Sequence, residues 1–88
     1  DIADLDLGLA TAERLHAVGY RWKDSGAADI GFVAEEIAAI DERLITRNDA
    51  GEIEGVKYDR LTAVLANALR ELREEKDAQL AEHEQRLS

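Results

Sequence analysis

Ser25, Ser88, His16 and His83 are the residues from which nucleophilic chemistry in this chain would have to be built. A serine nucleophile needs a base within hydrogen-bond reach and a third group to orient that base. Ser25 sits in the run Lys23-Asp24-Ser25-Gly26, which reads as a turn, and the two histidines fall on separate predicted helices. No triad is expected, and Ser25 reads as a turn residue. Among the acids, Glu35 and Glu36 are adjacent on a predicted helix. Their side chains diverge by about 100°, which rules out a catalytic carboxylate pair. Asp4-x-Asp6 and Asp49-x-x-Glu52 lack the glycine at the sixth position and glutamate at the twelfth that a calcium loop needs. They read as surface acids, and no metal or other cofactor is expected.

Eighty-eight residues allow one small domain, and the chain has no cysteine to staple it. A core of this size is marginal alone, so oligomerisation is the expected source of stability. The net charge is −9, and residues 1–57 hold 6 Lys/Arg against 13 Asp/Glu, while 58–88 hold 5 against 7. Such an acidic front half repels phosphate backbones, and nucleic acid is not an expected partner. Nor is a membrane, since no apolar run approaches the roughly 18 residues that span one. A chain opening on Asp1 is expected to be a fragment or processing product of something longer.

The elements follow from periodicity. Leu5, Leu9, Ala12, Leu15 and Val18 recur at helical spacing, predicting a helix from Asp4 to Ala17 closed by Gly19. Tyr20 to Trp22 and Ile30 to Val33 read as short extended pieces around the turn at 23–26, and a short helix follows from Ala34 to Ile40. Leu44–Arg47 and Ile53–Lys57 then predict a hairpin about Asn48-Asp49-Ala50-Gly51. Tyr20, Trp22, Phe32 and Tyr58 are expected to form the core of this small head. From Asp59, a natural N-cap, nothing breaks a helix to the end of the chain.

That helix carries a stripe spaced 3, 4 and 4: Tyr58, Leu61, Leu65, Leu69, Leu72, Lys76, Leu80, His83 and Leu87. Three steps make an 11-residue repeat of about 3.67 residues per turn, which predicts a nearly straight or slightly right-handed bundle. With charged flanks after Leu72, so narrow a stripe calls for copies of itself as partner. Lys76 and His83 allow two readings. They form either a loosened, partly solvated tail or polar layers that fix register at a cost in stability.

Three segments resemble one family. Gly19-Tyr20-Arg21-Trp22-Lys23 is similar to the aromatic-Arg-Trp-Lys strand of the intramolecular chaperone domain at the C-terminus of phage tail spikes and endosialidases. Ile30-Gly31-Phe32-Val33-Ala34-Glu35-Glu36-Ile37 resembles its I-G-F-I-A-Q-E-V motif, with Glu35 where glutamine is usual. Val56-Lys57-Tyr58-Asp59-Arg60-Leu61-Thr62-Ala63 resembles its Y-x-x-L-T-A segment, and Leu65, Ala68, Leu69, Glu71 and Leu72 continue the likeness. Order and spacing agree across residues 1 to 72.

The resemblance implies a domain that trimerises and guides folding of the β-rich fibre ahead of it. The domain is then cut off by serine–lysine chemistry in an S-D-x-x-x-K motif. That motif is absent here, and Asp1-Ile2 resembles the sequence just after its lysine, so this chain is not expected to cleave itself. The implied partners are two further copies and the preceding fibre or spike of the same polypeptide. The implied setting is a virion-associated precursor made in the bacterial host cytoplasm and released after processing. A permanent trimerisation cap without release is the alternative. The expected architecture is α+β: a head of short strands and two short helices over 1–57, with Tyr20, Trp22, Ile30, Gly31, Phe32, Ala34, Glu36 and Ile37 as core and family motif. A long helix over 58–88 then forms a parallel trimeric bundle.

Overall fold

The computed structural model describes residues 2–87; Asp1 and Ser88 lie outside the described residues. The order of elements is α1 (Leu9–Ala12), β1 (Val18–Arg21), β2 (Ala28–Gly31), α2 (Ala34–Ile40), a 3₁₀ turn (Glu42–Leu44), β3 (Ile45–Arg47), β4 (Ile53–Val56) and α3 (Tyr58–Leu87). The architecture is α+β with short antiparallel strands. The chain forms two compact units: Arg14–Leu61, and the N-terminal residues up to Glu13 with the helix from Thr62 onward.

In the first unit, β1 and β2 form an antiparallel ribbon with Val18 opposite Gly31 and Arg21 opposite Ala28. Its turn is closed by Trp22 N–H donating to Ala27 O at 3.0 Å and Gly26 N–H donating to Trp22 O at 2.8 Å. Gly26 takes φ +72°, a conformation that costs glycine nothing. Ser25 Oγ accepts Ala27 N–H at 3.2 Å, which is its turn role. Helix α2 starts after extended Val33, with Glu35 and Glu36 in its first turn where the helix dipole favours negative charge. It stops at Asp41, whose extended backbone (φ −162°) breaks the helix and whose carboxylate accepts Arg43 N–H at 2.8 Å. The β3–β4 hairpin turns on Asn48, whose Oδ1 accepts the N–H groups of Ala50 and Glu52 at 3.0 and 2.9 Å. Helix α2 packs on this hairpin. Ile37, Leu44, Ile45 and Leu61 are the buried side chains of this unit.

In the other unit, Leu7, Val64 and Ala68 are buried. The N-terminal segment departs from expectation: in place of a helix from Asp4 to Ala17 there is only the four-residue α1. The carbonyls of Leu5 and Leu7 accept from Asn67 Nδ2 at 3.2 and 2.8 Å, and Leu9 N–H donates to Glu71 Oε2 at 3.0 Å. Backbone groups satisfied by distant side chains have no need of helical partners. Several boundaries also differ: β2 runs over Ala28–Gly31 where Ile30 to Val33 is expected, Leu44 belongs to the 3₁₀ turn and not to β3, and β4 ends at Val56. Trp22 lies past the end of β1, and Asp59 is in the first turn of α3 rather than its cap. The cap position belongs to Lys57, whose carbonyl accepts Arg60 and Leu61 N–H.

Candidate assembly surface

Helix α3 has two apolar faces. At 3.6 residues per turn, the mean direction of Leu61, Val64 and Ala68 lies roughly 90° from that of Leu65, Leu69, Leu72, Leu80 and Leu87, and the two sets adjoin at Leu61 and Leu72, which are only about 20° apart. The first three are buried within the chain, and the five leucines are exposed. Of the nine stripe positions, Leu61 is thus taken up by its own chain at 2% exposure, while Tyr58 and the five leucines present apolar surface outward. Lys76 and His83 are exposed on the same outward face. Leu69, Leu72 and Leu80 line a shallow apolar groove with the stems of Arg73, Lys76 and Asp77 on its walls. Ion pairs at i,i+4 spacing, Arg70–Glu74 at 3.1 Å and Arg86–Glu82 at 2.8 Å, decorate the remaining surface. Each contributes a few tenths of a kcal/mol to the helix, about 0.3–0.5.

The head residues divide differently from expectation. Of the eight read as head core and motif, Ile37 alone is buried; Trp22, Ile30 and Glu36 are exposed, and Tyr20, Gly31, Phe32 and Ala34 are half-buried. A two-stranded ribbon offers no third layer to cover its far face, which leaves Ile30 in solvent. The aromatic residues instead line an open cleft of about 470 Å³ with Val18, Val33 and Val56. Tyr20 and Trp22 meet edge to face at 5.3 Å, and Phe32 and Tyr58 lie 6.2 Å apart. Asp29 ties the rim together: its carboxylate accepts Ile30 N–H at 2.8 Å and Trp22 Nε1–H at 3.1 Å. Those two bonds hold its pKa below the ordinary carboxylate range. Partial desolvation, with Asp29 nearby, raises that of Tyr20. Gly31 is needed for a close approach. Phe32 N–H donates to Tyr58 Oη at 3.2 Å, and a Cβ at Gly31 would stand 2.7 Å from that hydroxyl.

No catalytic grouping emerges among the described residues. Ser25 Oγ is engaged in its turn, and His16 faces Glu36 across 3.8 Å of exposed surface. Among the described residues, no group of three or more His, Cys, Asp or Glu could hold a metal ion, and no helix is long and apolar enough to cross a membrane.

The family model for the chaperone of endosialidase matches residues 1–46, more than half of the chain. The chain belongs to the chaperone of endosialidase family. Neither a curated protein nor a solved structure matches it. The matched stretch of this endosialidase-chaperone domain contains the β1–β2 ribbon, α2 and the I-G-F segment. Gly31 and Phe32 meet Tyr58, the first residue of α3, which lies past the match. The likeness of Tyr58–Ala63 to the family rests on the sequence segment alone.

Sequence periodicity missed Val64 and Ala68, because the outward leucines dominate the stripe. Their 3- and 4-residue spacing from Leu61 was the signal available. Asn67 gave no signal of its own, and Glu71 stood out only as one of the positions that continue the family likeness.

Proposed function

We propose that this domain trimerises through the outward face of α3 and so guides folding of a phage tail spike or fibre that precedes it in the same polypeptide. The observation that carries this reading is the exposed leucine series on α3, which keeps phase over an 11-residue period and adjoins the strip its own chain buries. Non-local β pairing among three fibre chains must first overcome loop-closure entropy. A helical seam forms quickly from local contacts and raises the effective concentration of the joined chain ends to roughly millimolar. Release follows by self-cleavage at a serine and lysine upstream of Asp1. A lysine can act as base there only if burial or neighbouring charge depresses its pKa, a condition that assembly would supply. The intact precursor is virion-associated and made in the host cytoplasm.

Absolute mass in solution tests the assembly step. A value three times the 9.7 kDa of one chain is expected, and a monomer at micromolar concentration would overturn the reading. A chain extended upstream tests the release step. It should cleave only when trimeric; cleavage at equal rate in dilute monomer refutes the coupling, and an intact extended trimer points to a permanent cap.

A further inference from the structure

We infer that Asn67 and Glu71 form a clasp that grips the N-terminal segment by its backbone and sets the height at which the preceding polypeptide enters the assembly. The inference rests on the trimer reading above for its purpose, though the clasp itself lies within one chain. Asn67 Nδ2 donates to Leu7 O at 2.8 Å and Leu5 O at 3.2 Å. Glu71 Oε2 accepts Leu9 N–H at 3.0 Å, and its other oxygen lies 3.4 Å from Asn67 Nδ2. Arg70 donates to Asn67 Oδ1 at 2.6 Å, which fixes the amide with its NH₂ turned to the segment. Gly8 lies so close that an added Cβ would stand 2.7 Å from Glu71 Oε2. Leu7 is buried beneath the clasp.

Every bond to the segment goes to main-chain carbonyls or an amide, so the clasp fixes the path of the chain through its backbone, and Gly8 is the position at which it leaves no room for a side chain. Strand pairing needs such a fixed start, because a slip of one residue turns every side chain to the wrong face. Without the clasp, the roughly 16 residues ahead of β1 form a tether whose end wanders by about 22 Å. Held at Leu5, the span back to Ile2 is about three residues and the spread at Ile2 falls to about 10 Å. Three clasps at one level would start three fibre chains in step.

The chain has no cysteine, so introduced thiols are unique label sites. Ile2→Cys and Glu75→Cys, both at exposed positions, carry nitroxides whose intrachain distance is read by pulsed electron resonance after dilution into excess unlabelled chain. A narrow distribution is expected in the parent, with its width at least doubling in Asn67→Ala. Gly8→Ala, which displaces the Glu71 carboxylate from the backbone side, should broaden it equally and serves if Asn67→Ala does not fold. The Leu9 amide should exchange about tenfold faster in either variant. With Ile2→Cys alone labelled in every copy, the interchain distances should broaden in the same variants while the mass stays trimeric. A broad intrachain distribution in the parent, or unchanged width and Leu9 protection in the variants, overturns the clasp. A monomeric parent with a narrow intrachain distribution leaves the clasp standing and overturns its role in setting register.

Discussion

Replacing Leu65 and Leu69 together by aspartate should abolish assembly, leaving a monomer or a misfolded chain. Burying a leucine fully is worth about 1.5–3 kcal/mol. Leu69 is 68% exposed and Leu65 47% exposed within the chain, so that fraction of each remains to be gained on assembly. The two leucines together contribute roughly 2–3.5 kcal/mol per chain, or about 5–10 kcal/mol for three chains. At 1.4 kcal/mol per decade, the trimer association constant should fall by about four to seven orders of magnitude, before any cost of desolvating aspartate. Translational and rotational entropy is lost equally by parent and variant, so it leaves the difference untouched. Sedimentation equilibrium over a range of concentrations reads the change directly, and far-ultraviolet circular dichroism shows whether the helix persists. Ala81→Asp, an exposed site on the opposite flank of α3, is the control and should leave the mass unchanged. A doubly substituted chain that still sediments as a trimer at micromolar concentration would refute the assignment of this face.

Leu61→Ala should act differently, because Leu61 is buried within its own chain. It should destabilise folding by about 2–5 kcal/mol in urea melts. Gly31→Ala should cost roughly 1–3 kcal/mol through the clash with Tyr58 Oη, and much less in a Tyr58→Phe background that lacks the hydroxyl. The pH dependence has a definite sign. Hydrogen bonds from Ile30 and Trp22 hold the pKa of Asp29 low, those from the Arg43 side chain and backbone do so for Asp41, and the Arg47 guanidinium does so for Glu42. Groups depressed by folding contribute stability above the ordinary carboxylate range, near 4, and lose it as pH falls through their folded values. Melting temperature should therefore hold from neutral pH to about 5 and decline below about 4. His83→Leu should leave both melting temperature and mass unaltered if the distal stripe is a solvated tail, and a change in either would mark a buried polar layer.

Local signals were legible where the chain itself satisfies its backbone. Helix α2 falls at Ala34–Ile40 as the apolar spacing of Val33, Ile37 and Ile40 predicts, and the hairpin turns at Asn48 and Gly51 as the residue types require. The uninterrupted α3 was likewise readable from its lack of glycine and proline. The Asp4–Ala17 helix failed because its backbone is claimed from 60 or more residues away by Asn67 and Glu71, contacts that no local pattern encodes. The head aromatics failed for another reason. Size and apolarity argue for a core, yet a two-stranded ribbon covers only part of what it carries, and Trp22 remains 54% exposed. Leu61 was read with its stripe-mates because one helical phase served two masters. Only burial within the chain separates it from Leu65.

The inward face of α3 ends near Ala68 and Glu71, whereas the outward one runs on to Leu87. Beyond Glu71 the helix is therefore a modular rod, free to change length without disturbing the folded part. Its arithmetic is set by the 3-4-4 step. Removing or duplicating 11 residues after Leu72 preserves the azimuth of every leucine, but a change of five rotates the rest by about 140°. A chain built on such a rod can change its length in whole quanta of 11 residues, and a protein engineer can graft cargo onto it by the same rule.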